Sequence, residues 1–157
     1  MDKYISIQES MLKLQLEQLG AEIHKMKGSM CYVLLTIGGI KFKYLYHINR
    51  KNKYCLQRIS PYNIPIATFD TEEEIIDTIK TDINKFNNAN NSKKFQDFIQ
   101  TNRSLLDISK SFEDAYLHYN ISKYDLKDIN DEILNIKNKL NHIINNSQIV
   151  YPKEGKE

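Results

Sequence analysis

Tryptophan is absent from this 157-residue chain, and cysteine (two), proline (three) and glycine (five) are scarce. The cysteines, Cys31 and Cys55, form no CxxC and have no histidine at ligand spacing, so neither a disulfide framework nor a zinc site is indicated, and no metal is expected. No run approaches eighteen apolar residues, and the opening MDKYISIQES lacks the basic-then-apolar layout of a signal peptide. A soluble, cytoplasmic protein with no membrane partner is the expectation. Also missing are a P-loop, a GxGxxG turn and an HExxH helix, and His24, His47, His118 and His142 sit on separate elements without a recognisable catalytic partner. The chain is therefore read as a non-enzyme without a cofactor. Few Gly and Pro beside abundant Asn, Ile and Lys is the bias of an A+T-rich genome. The Asn-rich patches at 87–91 and 145–146 then carry no message about assembly.

The length suits one domain, or a domain with an appendage, able to bury about 70 % of its unfolded surface. Residues 6–27 read as a helix: Ser6 and Glu9 have capping-box spacing, Leu12, Leu16, Leu19, Ile23 and Met26 recur at steps of four and three, and Gly28 supplies a stop. From Met30 the period becomes two, and Gly38-Gly39 is the residue choice for a tight hairpin turn. That turn sets Ile37 opposite Ile40, Leu35 opposite Phe42, Val33 opposite Tyr44 and Cys31 opposite Tyr46, which makes one face apolar and aromatic. A second turn at 49–52 leads to a third strand, KYCLQRI. Cys55 then lies two strands from Cys31, about 9.5 Å away and too far to bridge, and both are expected to be plain buried thiols.

Residues 60–68 hold two of the prolines and read as an irregular crossing. Thr71 and Glu74 then cap a helix with Ile75, Ile76, Ile79, Ile83 and Phe86 on one face, and its leading glutamates suit the positive end of the helix dipole. After the polar tract NNANNS, a stripe from Phe95 to Tyr119 has polar interruptions at Asn102 and Ser109, which leave room for a break near there. Ser122 and Asp125 open a last helix in which Leu126, Ile129, Ile133, Ile136, Leu140 and Ile143 keep a heptad pattern without a miss. Packing of that seam against the preceding helix is weighed above dimerisation, for which Ile129, Ile133, Ile136, Leu140 and Ile143 are the candidate contacts. The expected fold is α+β. An α-β-β-β-α module with a three-stranded antiparallel sheet (1–89) precedes a C-terminal helical hairpin or coiled-coil-like segment (92–147) and a disordered tail (148–157).

Helix, three antiparallel strands, helix is an order that resembles double-stranded-RNA-binding domains, and its strand-to-helix part also occurs in integrase arm-binding domains. The stretch ATFDTEEEIIDTI (67–79) is similar to the strand-to-helix junction of plant ethylene-response DNA-binding domains. The plant pattern needs strand tryptophans, and a double-stranded-RNA reader needs a basic start to its second helix where this chain has Glu72, Glu73 and Glu74. No family is assigned on these stretches.

Charge is distributed unevenly. Between Glu22 and Asp70 there are eight Lys or Arg and no acid, a local excess that the overall +2 conceals. Lys41, Lys43, His47, Arg50, Lys51, Lys53, Tyr54 and Arg58 are the candidate contact residues for an acidic protein or nucleoprotein partner. Exposed strand cations also serve simply to prevent sheet-to-sheet association. Two readings follow. One is a macromolecule-binding regulator or inhibitor that occludes its partner through a basic sheet face, of the sort carried by phages and mobile elements. The alternative is direct DNA or RNA binding by the same face, with cations on phosphates and aromatic rings stacking on bases. A homodimer held by the last helix is the third possibility.

Overall fold

A computed structural model describes Ile5, residues 11–26 and residues 30–152. It is α+β: helix α1 (Met11–Glu17), strands β1 (Glu22–Met26), β2 (Met30–Ile37), β3 (Ile40–Ile48), β4 (Tyr54–Ser60) and β5 (Ile64–Phe69), then helices α2 (Glu72–Asn90), α3 (Phe95–His118) and α4 (Lys123–Asn146). The strands form one antiparallel meander in the order β1-β2-β3-β4-β5. The chain divides into two compact units, 1–106 and 107–157.

The first helix stops short of expectation, and the reason is local. The Ala21 N–H bonds the Leu16 carbonyl at 3.1 Å and the Gly20 N–H bonds Glu17 at 2.9 Å, while Gly20 has φ +80°. This is the double bond of a Schellman stop, which requires a left-handed residue at Gly20. Residues 22–26, read from the sequence as helix, instead pair with β2, Ile23 opposite Val33. The Ser6/Glu9 cap and the Gly28 stop lie outside the described residues.

The hairpin between β2 and β3 has the expected register, Ile37 to Ile40 through Cys31 to Tyr46, around Gly38 (φ +56°) and Gly39 (φ +77°). Residues 64–69, read as irregular, form a fifth strand on β4, so the sheet has five strands and not three. An edge strand needs pairing on one side only, which is why Pro65 is tolerated there.

One sheet face forms the core. Cys31, Val33, Leu35, Phe42, Tyr44, Tyr46, Tyr54 and Leu56 are buried against Leu16 of α1 and Ile75, Ile76, Ile79, Ile83 and Phe86 of α2. The α2 capping box is present as expected: Thr71 Oγ1 accepts from the Glu74 N–H and Glu74 accepts from the Thr71 N–H at 2.9 Å. Each fully buried isoleucine of α2 contributes about 2 kcal/mol of transfer free energy. Phe42 meets Phe86 edge to face at 4.7 Å, and Phe95, Phe98 and Tyr62 surround the same ring. The first turns of α3 therefore belong to the sheet unit, and Arg103 Nε donates to the Pro61 carbonyl at 2.9 Å.

Unit 2 holds the rest of α3 and all of α4. Helix α3 runs unbroken through Asn102, whose amide donates to the Phe98 carbonyl at 3.0 Å, and through Ser109. Ser122 caps α4 by accepting from the Asp125 N–H, as expected. No residue of α4 is fully buried: Leu126 is half-buried, and the rest of its seam, from Ile129 to Ile143, is exposed among the described residues.

Candidate binding surface

Alternation along the strands decides which candidate residues share a face. On the side opposite α2, β1 presents Glu22 and His24, across from Leu34 and Tyr32, β2 presents Tyr32, Leu34 and Thr36, β3 presents Lys41, Lys43, Leu45 and His47, and β4 presents Gln57 and Cys55, across from Leu45 and His47 in turn. Most of these side chains on β2, β3 and β4 are half-buried, as neighbours in a sheet shield one another, and Lys41 and Thr36 are exposed. Lys43 Nζ lies 4.0 Å from the centre of the Tyr32 ring, a cation–π contact that fixes the lysine over the aromatic face. A shallow depression of about 580 Å³ is lined by Glu22, Leu34, Thr36, Lys41, Lys43 and Ser60. A second, of about 520 Å³, lies around His47, Cys55, Gln57, Pro65 and Thr68. His47 Nδ1 is buried there without a hydrogen-bond partner among the described residues.

The remaining candidates lie elsewhere. Tyr54 and Arg58 follow Leu56 onto the core face and are buried, Arg58 being only 5 % exposed. Its guanidinium donates to Asp82 Oδ2 at 2.6 Å and sits 4.6 Å from the centres of the Tyr62 and Phe86 rings. The Tyr44 hydroxyl donates to the same carboxylate oxygen at 2.7 Å. Arg58 is therefore a core residue, neutralised and stacked. The signal was available: in a period-two reading from Leu56, Arg58 falls on the apolar face, and Asp82 lies on the apolar stripe of α2, next to Ile83 and three residues after Ile79. A lone charge on each of two facing apolar surfaces implies a pair.

Lys53 forms an ion pair with Asp70 at the other end of β4. Arg50 and Lys51 occupy the turn between β3 and β4, which Asn49 organises by accepting from the N–H groups of Lys51 (2.9 Å) and Lys53 (3.1 Å). Of the eight cations in the acid-free stretch, then, Lys41 and Lys43 gather with His47 on the open face, Arg50 and Lys51 mark its end, Lys53 and Arg58 are paired, Lys25 lies on β1 opposite Cys31, and Lys27 is outside the described residues. Cys55 is half-exposed on this face, not buried as expected, and donation from Asn49 Nδ2 reaches its sulfur at 3.3 Å.

Acids on α2 are used internally. Glu72 accepts from the Tyr46 hydroxyl at 2.8 Å, and burial pushes the ionisation of Tyr44 and Tyr46 far above the ordinary phenol range. Glu74 is held below the usual carboxylate range by the Thr71 and Asp70 N–H groups it caps. None of the described helices is long and apolar enough to cross a membrane. Compared with protein families, curated proteins and solved structures, the chain matches none. The five-stranded meander also departs from the three-stranded order that prompted the resemblance to nucleic-acid-binding domains.

Proposed function

We propose that this protein acts by binding another macromolecule rather than by transforming one, as a regulator or inhibitor that occludes an acidic protein surface with the open face of its sheet. The observation that carries this reading is the group on that face: Lys41 and Lys43 beside Tyr32, Leu34, Leu45 and His47, which none of the described helices of unit 1 covers. Aromatic and aliphatic side chains flanked by a few cations suit a protein interface, where desolvated rings supply affinity and charges supply orientation. Direct nucleic-acid binding has less support. Of the proposed contact residues, Lys41 and Lys43 on the face, with Arg50 and Lys51 at its end, are left to meet phosphates, because Arg58 and Lys53 are already neutralised. Few phosphate contacts give a shallow salt dependence and weak binding.

The test is affinity purification from the native host with the full chain and with the Lys41→Glu/Lys43→Glu variant, each with and without nuclease. A nuclease-resistant protein captured by the wild-type chain and lost with the variant is the expected result. A nuclease-sensitive partner would select the nucleic-acid reading, and equal capture by both chains would remove the face from consideration.

A further inference from the structure

We infer that unit 2 is a homodimerisation element: α4 pairs antiparallel with α4 of a second copy, and the exposed apolar residues of the second half of α3 flank that contact to complete a four-helix bundle. The inference is independent of the ligand proposed for the sheet.

Three observations converge on a second copy. The first is the seam itself. Exposure along it rises from 36 % at Ile129 through 43 % at Ile133 and 53 % at Leu140 to 55 % at Ile143. An isolated α-helix in water gains little from propensity alone, so a helix of 24 residues with such a stripe requires a covering surface.

The second is the width of the apolar surface. With Leu126 at heptad position a and Ile129 at d, Ile144 falls at e beside the seam and is 61 % exposed. On α3, Ile108, Phe112 and Tyr116 are exposed as well. One narrow seam against one helix would leave these uncovered, whereas two copies of a two-helix unit supply four helices. A stable interface buries about 800 Å² per partner, which calls for an apolar surface wider than one helical seam.

The third is charge. In residues 123–134, Lys123 and Lys127 stand against Asp125, Asp128, Asp131 and Glu132, a net of −2, and residues 135–146 carry Lys137 and Lys139, a net of +2 with His142 neutral. Antiparallel pairing about an axis near Leu134–Asn135 sets each acidic half against the partner's basic half. It also aligns Leu126 with the partner copy's Ile143, Ile129 with Leu140 and Ile133 with Ile136, so all six seam residues are used. In that register Glu132 and Lys139, both at g, meet across the axis twice. A parallel pair would place like halves together. Within one helix, residues 132 and 139 are about 10.5 Å apart along the axis, too far to pair with each other.

Sedimentation of the full chain over a concentration series tests this. The wild-type protein is expected to be a dimer, and Ile133→Asp/Ile136→Asp to be monomeric. Because that variant can also lose helix, the decisive measurement is a charge swap followed alongside helical circular dichroism. Glu132→Lys and Lys139→Glu alone should each raise the dimer dissociation constant about tenfold, and the double variant should return to within about threefold of wild type. Lys41→Glu/Lys43→Glu should leave assembly unchanged, which separates this result from the sheet reading. A wild-type chain that is monomeric or tetrameric, or a double variant no better than the singles at preserved helicity, would overturn the proposal.

Discussion

Helices α2 and α4 carry apolar stripes of similar length, Ile75 to Phe86 and Leu126 to Ile143, and each begins with a side-chain cap. Their fates differ. All five stripe residues of α2 are buried in the sheet core, and none of the six in α4 is buried. Periodicity states that a face needs a partner and leaves open which one. The polar content tells more. On α2 the charges nearest the stripe, Glu72 and Asp82, are consumed by tyrosines and an arginine of the sheet, whereas the charges of α4 are sorted into an acidic and a basic half.

The most severe way to break the contrast is to unpair the core charge. Asp82→Ala leaves Arg58 and the Tyr44 hydroxyl without their shared acceptor and should lower unfolding stability in urea by about 3–5 kcal/mol. A triple replacement, Tyr44→Phe with Arg58→Met and Asp82→Leu, should recover most of that loss. Equal truncations then sharpen the comparison between helices. Ile79→Ala should cost about 3 kcal/mol, whereas Leu134→Ala, on the half-exposed side of α4, should stay within about 0.5 kcal/mol. Hydrogen exchange adds a readout to that pair: protection in α2 should be independent of protein concentration, and protection in α4 should grow with it.

A smaller effect is expected at the hairpin turn. Gly38→Ala forces a side chain into φ +56° with its Cβ directed at the Asn90 amide, and about 1 kcal/mol of stability should be lost, mostly to the backbone because the amide can swing aside. The least effect is electrostatic. Glu74 has a depressed pKa in the folded chain, so its contribution is present above the ordinary carboxylate pKa and disappears as pH falls through the folded value. Glu74→Gln should therefore flatten the acid limb of the stability profile slightly and leave stability in the alkaline range without a comparable pH dependence.

Much of the sheet unit was legible because its signals are local. Two glycines fixed the β2–β3 register residue by residue, and Thr71 with Glu74 fixed the start of α2. The edges were not legible. Leu19, Ile23 and Met26 continue a helical spacing by coincidence, and the Gly20 stop that ends α1 looks like any other glycine until its backbone bonds are seen. In β5, IPIATF lacks alternation because an edge strand has only part of one side to bury. The candidate surface was half legible: the hairpin alternation places Lys41, Lys43 and His47 together, and the same alternation continued through β4 sends Tyr54 and Arg58 inward, away from the lysines. The seam of α4 was visible as a pattern, and its exposure from Ile129 to Ile143 among the described residues is what the pattern alone did not give.

The alternation that separates Cys31 from Cys55 gives the molecule two orthogonal chemical reporters. Burial raises the Cys31 thiol pKa and hides its sulfur, while Cys55 stands half-open on the other surface, beside the β3–β4 turn. A mild alkylating reagent should modify Cys55 in the native protein and reach Cys31 only when the domain opens. One reaction, read at two positions, would then footprint occupancy of the sheet and follow its unfolding in the same sample.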